Sequence, residues 1–512
     1  MGYLALALLF LAFVVWISRV LVYSVWLKPM KLERLLKKQG VLGPPYELLY
    51  GNIRENDALN NQARSKPMNS SHKIAPRVAP ILHQTAQKYG KLSLLWYGTQ
   101  ARVTVFDPEM VKEILSNKFG HFKKPKLNPL LKLLATGLAH HEGEKWARHR
   151  RIINPAFHLE KIKLMLPAFS ATCIDLIEKW EKLMKGHSSC EVDVWPHLQQ
   201  LTADVISRTA FGSSYKEGDR IFKLQSEQAE LMMQAANSIY FPGLEFLPTK
   251  TNLRRWAVDR EVRALLTGMI KKKEKKAIDD MGEAATDDLL GLLIKSNIKE
   301  SQLGMTLDDV IAECKLFYFA GQETTSVLLN WTMVALSMHP HWQTRAREEV
   351  LQTFGKNKPD FDGLTHLKIV NMILHETLRL YPPVVALLRS TYKEMTIGGV
   401  TFPAGVELCL PIVLLHHDKE IWGEDADEFN PERFSKGVSN ATKYQTAFFP
   451  FGWGPRICIG QNFALTEAKL ALAMILQNFW FELSPTYVHA PLPIVTVQPQ
   501  YGTQVILHKL DG

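Results

Sequence analysis

The amino-acid sequence predicts a mainly α-helical protein with a minor β-sheet, carried on one N-terminal transmembrane helix. Three observations lead there. Residues 2–17 contain no charged side chain. Helical periodicity dominates from Asp107 to about Pro382. Within that region Thr306-x-x-Asp309 forms a capping-box pattern, and no proline follows until Pro340. That leaves room for a helix of roughly 33 residues, or about 50 Å, long enough to cross a whole domain.

The N-terminal element comes first. Gly2 to Ile17 is dominated by Leu, Ala, Val and Phe, and the apolar character resumes from Val20 to Leu27 after Ser18 and Arg19. At ~1.5 Å per residue this stretch crosses a ~30 Å hydrocarbon layer. Lys28, Lys31, Arg34, Lys37 and Lys38 follow it, and no lysine or arginine precedes it. The positive-inside rule therefore predicts a luminal N-terminus and a cytosolic body on the endoplasmic reticulum membrane. A cleaved signal peptide would carry a basic start and a small-x-small site, which this segment lacks. Arg19 is tolerable if it snorkels to the cytosolic headgroups. The expected division is an anchor at 1–27, a basic and Pro-rich hinge at 28–51 containing Gly43-Pro44-Pro45, and a catalytic domain at 52–512. On that topology the sequons at Asn69 and Asn440 face the cytosol and stay unmodified.

Further along, residues 52–79 are polar and read as a loop. Lys91 to Tyr97 and Arg102 to Phe106 alternate around Gly98-Thr99-Gln100 and read as a hairpin. Lys271 to Asp288 is charged and reads as a solvated helix end and loop. Short strands are expected at Val406 to Val413 and Ile494 to Val505, and an amphipathic helix from about Gln461 to Leu483. Apolar residues make up 46% of the chain, enough for a large core. The net charge of +10 suits an acidic protein partner or an anionic membrane. No arginine-rich tail or zinc-finger cysteine pair supports nucleic-acid binding. The five cysteines, at 173, 190, 314, 409 and 458, have no Cys-x-x-Cys spacing and read as reduced thiols.

One cysteine has distinctive surroundings: Phe451-Gly-Trp-Gly-Pro-Arg-Ile-Cys458-Ile-Gly460. The glycines let a backbone approach a flat ligand closely. A helix entrance follows, whose free N–H groups and dipole favour a thiolate. A thiolate is what an axial iron ligand requires, and its electron donation favours O–O cleavage.

Phe-x-x-Gly-x-Arg-x-Cys-x-Gly resembles the haem-binding signature of the cytochrome P450 family. Three further motifs stand in that family's order: Ala320-Gly321-Gln322-Glu323-Thr324-Thr325, Glu376-Thr-Leu-Arg379 and Pro431-Glu-Arg433-Phe434. The likeness spans essentially the whole chain and points to the plant clan containing secologanin synthase and triterpenoid oxidases. It implies the P450 fold and haem b (iron protoporphyrin IX), with Cys458 as axial ligand and Phe451, Gly460 and Ala320 against the cofactor. Glu323 and Thr324 would deliver protons to dioxygen. Without the resemblance, Thr324 would simply bond back to the carbonyl of residue 320, and Glu323 would face solvent. Glu376, Arg379 and Arg433 would form a structural network holding the cysteine loop. Trp146 and Arg150, on one helix face, would meet the haem propionates with Arg389 and Arg456.

The resemblance implies a monooxygenase that uses O2 and electrons from NADPH-cytochrome P450 reductase, with cytochrome b5 a second candidate donor. Lys145, Arg148, Lys443 and Lys469 are candidate docking charges. Three rivals are weighed against it. A haem-thiolate isomerase or dehydratase would not need Glu323 and Thr324. A non-catalytic haem or sterol carrier would need neither these nor Cys458. A non-haem iron centre built on His416-His417-Asp418 would need a strand-rich scaffold. Segments 126–134, 317–320 and 384–388 are mostly apolar and are expected to line the pocket for a lipophilic substrate. Residues 238–247, with Tyr240, Phe241 and Phe246, are expected to dip into the bilayer. The clan favours a triterpenoid or sterol-like substrate, with a secoiridoid or a diterpenoid hormone as alternatives.

Overall fold

The computed structural model describes residues 2–510 except 118–119, 127, 214, 237, 239–242, 280–287 and 299–303. Tyr240, Phe241 and most of the charged run after Asp279 lie outside the described residues.

The N-terminal rod is helical from Gly2 to Val22, widens into a π-helical turn over Tyr23–Leu27, and continues as an α-helix through Lys28–Lys38. Its apolar side chains, such as Leu9, Phe10 and Trp16, face outward. The second part is amphipathic and buries Pro29 and Leu36 against the body. Gln39 then pairs with both backbone groups of Thr401, at 2.9 and 2.7 Å, and the Tyr46 hydroxyl donates to the Val25 carbonyl at 2.6 Å. A Cβ at Gly43 would lie 2.0 Å from the Leu94 carbonyl oxygen, so only glycine lets this segment lie beside the first strand.

Residues 52–79 are not a loop throughout. They form the helices Ile53–Ser65 and Ala75–Val78, the first burying Ile53. A polar helix with one narrow buried edge has weak periodicity, which is why it read as a loop. The expected hairpin is present as Leu92–Tyr97 paired antiparallel with Gln100–Val105. Its second strand pairs in parallel with Glu407–Leu410, which pairs with Leu387–Thr391, which in turn meets Phe122–Lys123. This five-stranded sheet carries Arg389 opposite Leu408.

The long helix runs Leu307–Met338, and its capping box is reciprocal: Asp309 N–H to Thr306 Oγ1 and Thr306 N–H to Asp309 Oδ2, both 3.2 Å. Twenty-two of its residues are buried, so it forms the axis of the core. Helix Val194–Phe211 packs along it.

Three boundaries differ from expectation. The helix after the cysteine loop ends at Asn478, and Phe479–Leu483 is a strand whose residues alternate between buried and exposed. It pairs with Gln504–Lys509, which also pairs with Ser189–Asp193. Pro411 ends the strand Glu407–Leu410 and opens a short helix, Ile412–His416. In the C-terminal region the strands are Val497–Pro499 and Gln504–Lys509 rather than one run.

Candidate haem-thiolate site

The cysteine loop is closed on itself. Cys458 N–H donates to the Phe451 carbonyl at 2.8 Å, and Gly454–Arg456 makes one 3₁₀ turn between them. Gly454 has φ of 71°, and a Cβ there would sit 2.4 Å from the Leu115 carbonyl oxygen. Cys458 lies two residues before the N-cap, Gly460, of helix Gln461–Asn478. A Cβ on Gly460 would touch both Cys458 Sγ and the Phe157 ring, and Phe157 stacks on Phe317 of the long helix at 5.4 Å. The thiol is accessible although protein surrounds it, so it faces an internal recess and not the outer surface. Burial pushes the Cys458 thiol up, while the Gly460 amide and the Arg150 guanidinium pull it down. Burial thus opposes ionisation of the thiol, while the Gly460 amide at the helix entrance favours it. A coordinated cation would supply what the protein dipoles do not.

Beside this recess the structure gathers positive charge. Arg389 is 5% exposed, and among the described residues its side chain donates to the neighbouring Leu388 carbonyl. Burial, then the Arg456 charge, lowers Arg389 to about 10. Lys124 falls to about 7 through burial and then repulsion from Arg389 and Arg456. Glu142 is the carboxylate at hand, 2.7 Å from Arg456 and accepting the Lys124 backbone N–H at 2.9 Å. Arg456 also lies over the Trp146 ring at 4.6 Å, and Arg150 donates to the Ile457 carbonyl at 2.9 Å. All four expected propionate partners thus flank the cysteine loop. Lys124, which no pattern in the sequence singled out, joins them. Such a cluster calls for anionic oxygens. The two carboxylates of a porphyrin edge fit it.

On the long helix, Thr324 Oγ1 donates to the Ala320 carbonyl at 2.8 Å, the back-bond that the bland reading expected. Glu323 is not solvent-facing. It is 3% exposed and accepts hydrogen bonds at one oxygen from Thr496 Oγ1, at 2.6 Å, and from Gln498 Nε2. Burial raises its pKa, and these two bonds oppose the rise. Neither Thr496 nor Gln498 stood out in the sequence. Gly321 serves packing: a Cβ there would lie 2.7 Å from Ile206 on helix Val194–Phe211. On the same seam Thr202 Oγ1 donates to the Gln322 carbonyl at 2.9 Å.

Glu376 and Arg379 are fully buried and paired through two bonds, 2.8 and 2.6 Å. Arg379 also donates to the carbonyls of His416, Ala426 and Glu428, and the Asn430 N–H donates to Glu376. Arg433 lies 3.6 Å from Glu376 and donates to the Trp422 and Asp425 carbonyls. The third member is therefore an ion-pair neighbour rather than a bidentate partner. His416, considered above as a metal ligand, is buried between Arg379 and the cysteine loop. His417 is engaged by Asp427, and Asp418 by Lys91. No iron triad assembles from them.

A family model described as Cytochrome P450 matches residues 72–506. The chain belongs to the cytochrome P450 family. This P450 is 60% identical over 513 residues to Cytochrome P450 CYP72A616 of Paris polyphylla, covering 99% of each chain. It is 58% identical over 492 residues to Cytochrome P450 72A397 of Kalopanax septemlobus, covering 95% of this chain and 94% of that one. It is 51% identical over 518 residues to 11-oxo-beta-amyrin 30-oxidase of Glycyrrhiza uralensis, covering 99% and 98%. This P450 is a haem-dependent monooxygenase of CYP72A type, and its N-terminal apolar helix fits a membrane anchor. Cys458 and the cation cluster fit haem b.

Proposed function

We propose that this P450 oxidises a lipophilic plant terpenoid of triterpenoid or sterol-like skeleton. The observation that carries this is a separate apolar cluster beside the oxygen-side turn of the long helix. Leu134, Ala135 and Ala229 form it, with Met232, Leu316, Phe319 and Val495 packed around. The side chains here are all aliphatic or aromatic, surroundings that suit a bulky hydrocarbon with few polar handles. The relative whose name specifies 11-oxo-beta-amyrin supports the same class.

In this reading Cys458 would hold the iron of haem b, whose chemistry when bound would be dioxygen activation for insertion into a C–H bond. Arg389, Arg456, Trp146, Arg150 and Lys124 hold the cofactor's carboxylates, with Phe451, Gly460 and Ala320 against its faces. Glu323, whose pKa burial raises, would supply a proton that Thr324 passes toward the reacting oxygen. Glu376, Arg379 and Arg433 fix the cysteine loop. Residues 1–27 anchor the protein in the endoplasmic reticulum membrane, 28–51 connect anchor and body, and 52–512 lie in the cytosol. Phe246 and Leu247, 77% and 49% exposed, give the 238–247 segment an apolar tip for the bilayer.

NADPH-cytochrome P450 reductase supplies electrons on the cysteine side. Of the four basic candidates, Lys145 is already paired with Asp309 at 2.6 Å and Lys469 and Arg148 are half-buried, so the exposed Lys443 is the better contact. Microsomes carrying this P450 and reductase, supplied with NADPH and a terpenoid panel, test the reading. Oxidation of a triterpenoid or sterol is expected. Turnover confined to secoiridoids or diterpenoids would overturn it.

A further inference from the structure

Away from the haem pocket's oxygen side, His149, on helix Gly143–Ile153, meets Glu313, on the long helix, with Nδ1 2.6 Å from Oε1. His141, on the preceding loop, brings Nε2 to 3.8 Å from the same oxygen. The three ligand atoms lie within 4.8 Å of one another. His149 and Glu313 have no side-chain exposure. Two ring nitrogens there, His141 Nε2 and His149 Nε2, are buried without a hydrogen-bond partner among the described residues. An ordinary His–Glu pair does not need a second imidazole turned onto the same oxygen.

We propose that His141 Nε2, His149 Nδ1 and Glu313 Oε1 bind a zinc ion, with water in the fourth position. Tetrahedral bonds of about 2.0–2.1 Å set ligand atoms roughly 3.3 Å apart, a value that the present 2.6 and 3.8 Å bracket. Supporting contacts are already in place. His149 Nε2 points to Asp309 Oδ2 at 4.0 Å, the carboxylate that a zinc-bound imidazole uses to fix its other N–H. Asp309 is itself held by Lys145 and the Thr306 capping box. Glu313 Oε2 accepts the Leu138 N–H at 3.0 Å, which orients the free oxygen. The loop reaches this close because Gly137, at φ 53°, carries no Cβ to strike Oε2. Metal binding takes the place of the hydrogen bond between His149 Nδ1 and Glu313 Oε1, and the imidazole N–H moves to Nε2, facing Asp309. The bound ion would pin the loop whose His141 carbonyl accepts from Arg456.

The test uses the full-length haem-loaded protein in detergent, without a histidine tag, stripped with chelator and dialysed against buffered zinc alone. Bound metal is counted by mass spectrometry. One zinc per chain is expected. Its affinity should fall by about 10–100-fold in Asp309→Asn, which keeps the cap, and be lost in His141→Ala and Glu313→Gln. The reduced carbon-monoxide spectrum verifies that each variant is folded. Should Glu313→Gln fail that check, the partly exposed His141→Ala decides. No zinc on the parent chain, or equal zinc on the folded variants, overturns the proposal.

Discussion

His416 Nε2 accepts the backbone N–H of Phe449 at 3.2 Å, while its Nδ1 lies 3.2 Å from the Arg379 carbonyl. The two contacts fix one neutral tautomer, with the proton on Nδ1 donated to Arg379 and Nε2 left as acceptor. Burial, then the Arg379 charge, drives the His416 pKa well down, in keeping with a neutral ring. One imidazole thus links the buried Glu376–Arg379 pair to the segment leading into the cysteine loop. His416→Ala leaves the Phe449 N–H and the Arg379 carbonyl short of a partner, at a cost of about 1–3 kcal/mol. The expected result is a lower melting temperature and a shift of the reduced carbon-monoxide band from the thiolate to the inactive form. An unchanged spectrum and midpoint would refute this link.

Glu376 and Arg379 have no exposure, so removing one partner leaves the other charge buried and unpaired. Glu376→Gln should destabilise by about 3–5 kcal/mol, and Arg379→Lys should behave similarly because an ammonium cannot reach the same fork of acceptors. Yield of haem-loaded protein on expression measures both. Near-parental yield of either variant would contradict the network.

Buried histidines make the fold acid-sensitive. Burial first, and neighbouring histidines next, hold His72 at about 3; burial holds His489 at about 4. Both folded values lie below the unfolded 6.5. Between them the unfolded chain binds protons that the native chain refuses, so stability is full above the unfolded value and falls as pH drops. Each histidine then removes about 1.4 kcal/mol per pH unit. Thermal midpoints should decline from about pH 7 to about pH 5, and His489→Gln should flatten the slope. A slope indifferent to that substitution would count against His489 as a source.

The acid on the long helix depends on the C-terminal segment. Thr496→Val removes a 2.6 Å donor from Glu323 and should lower product formed per NADPH consumed, with Thr496→Ser restoring it. Glu323→Gln removes the proposed proton source and should slow turnover by about 10²-fold, the low end for general acid catalysis. Coupling unaltered by Glu323→Gln would remove this residue from the proton path.

Electron delivery should weaken with salt. Raising ionic strength to where the screening length is below about 10 Å should slow reduction by the reductase. Lys443→Glu should slow it further, while Lys145→Glu should chiefly disturb Asp309. The first-electron rate in stopped flow reads both, and a salt-independent rate would exclude steering.

Much of this is legible in the sequence. The capping box at Thr306 and Asp309 is a local pattern and formed as read. So did the hairpin around Gly98 and the cysteine loop, because glycine at Gly454 answers a backbone demand visible in spacing. The misreadings share one cause. Helix Ile53–Ser65 and strand Phe479–Leu483 take their state from what they pack on or pair with, and single-chain periodicity is weak there.

The sequence by itself determined the apolar N-terminal helix, the long capped helix, the glycine-rich cysteine loop and the order of motifs that places the chain among the P450s, since each rests on residues near in the chain. Only the tertiary structure decided the rest. It turned Glu323 toward Thr496 and Gln498, set Lys124 beside Arg389 and Arg456, and drove His416 between Arg379 and Phe449. Those partners stand tens to hundreds of residues apart. Their chemistry comes from shared burial, where an unsatisfied charge or donor is costly, and burial is a property of the packed chain.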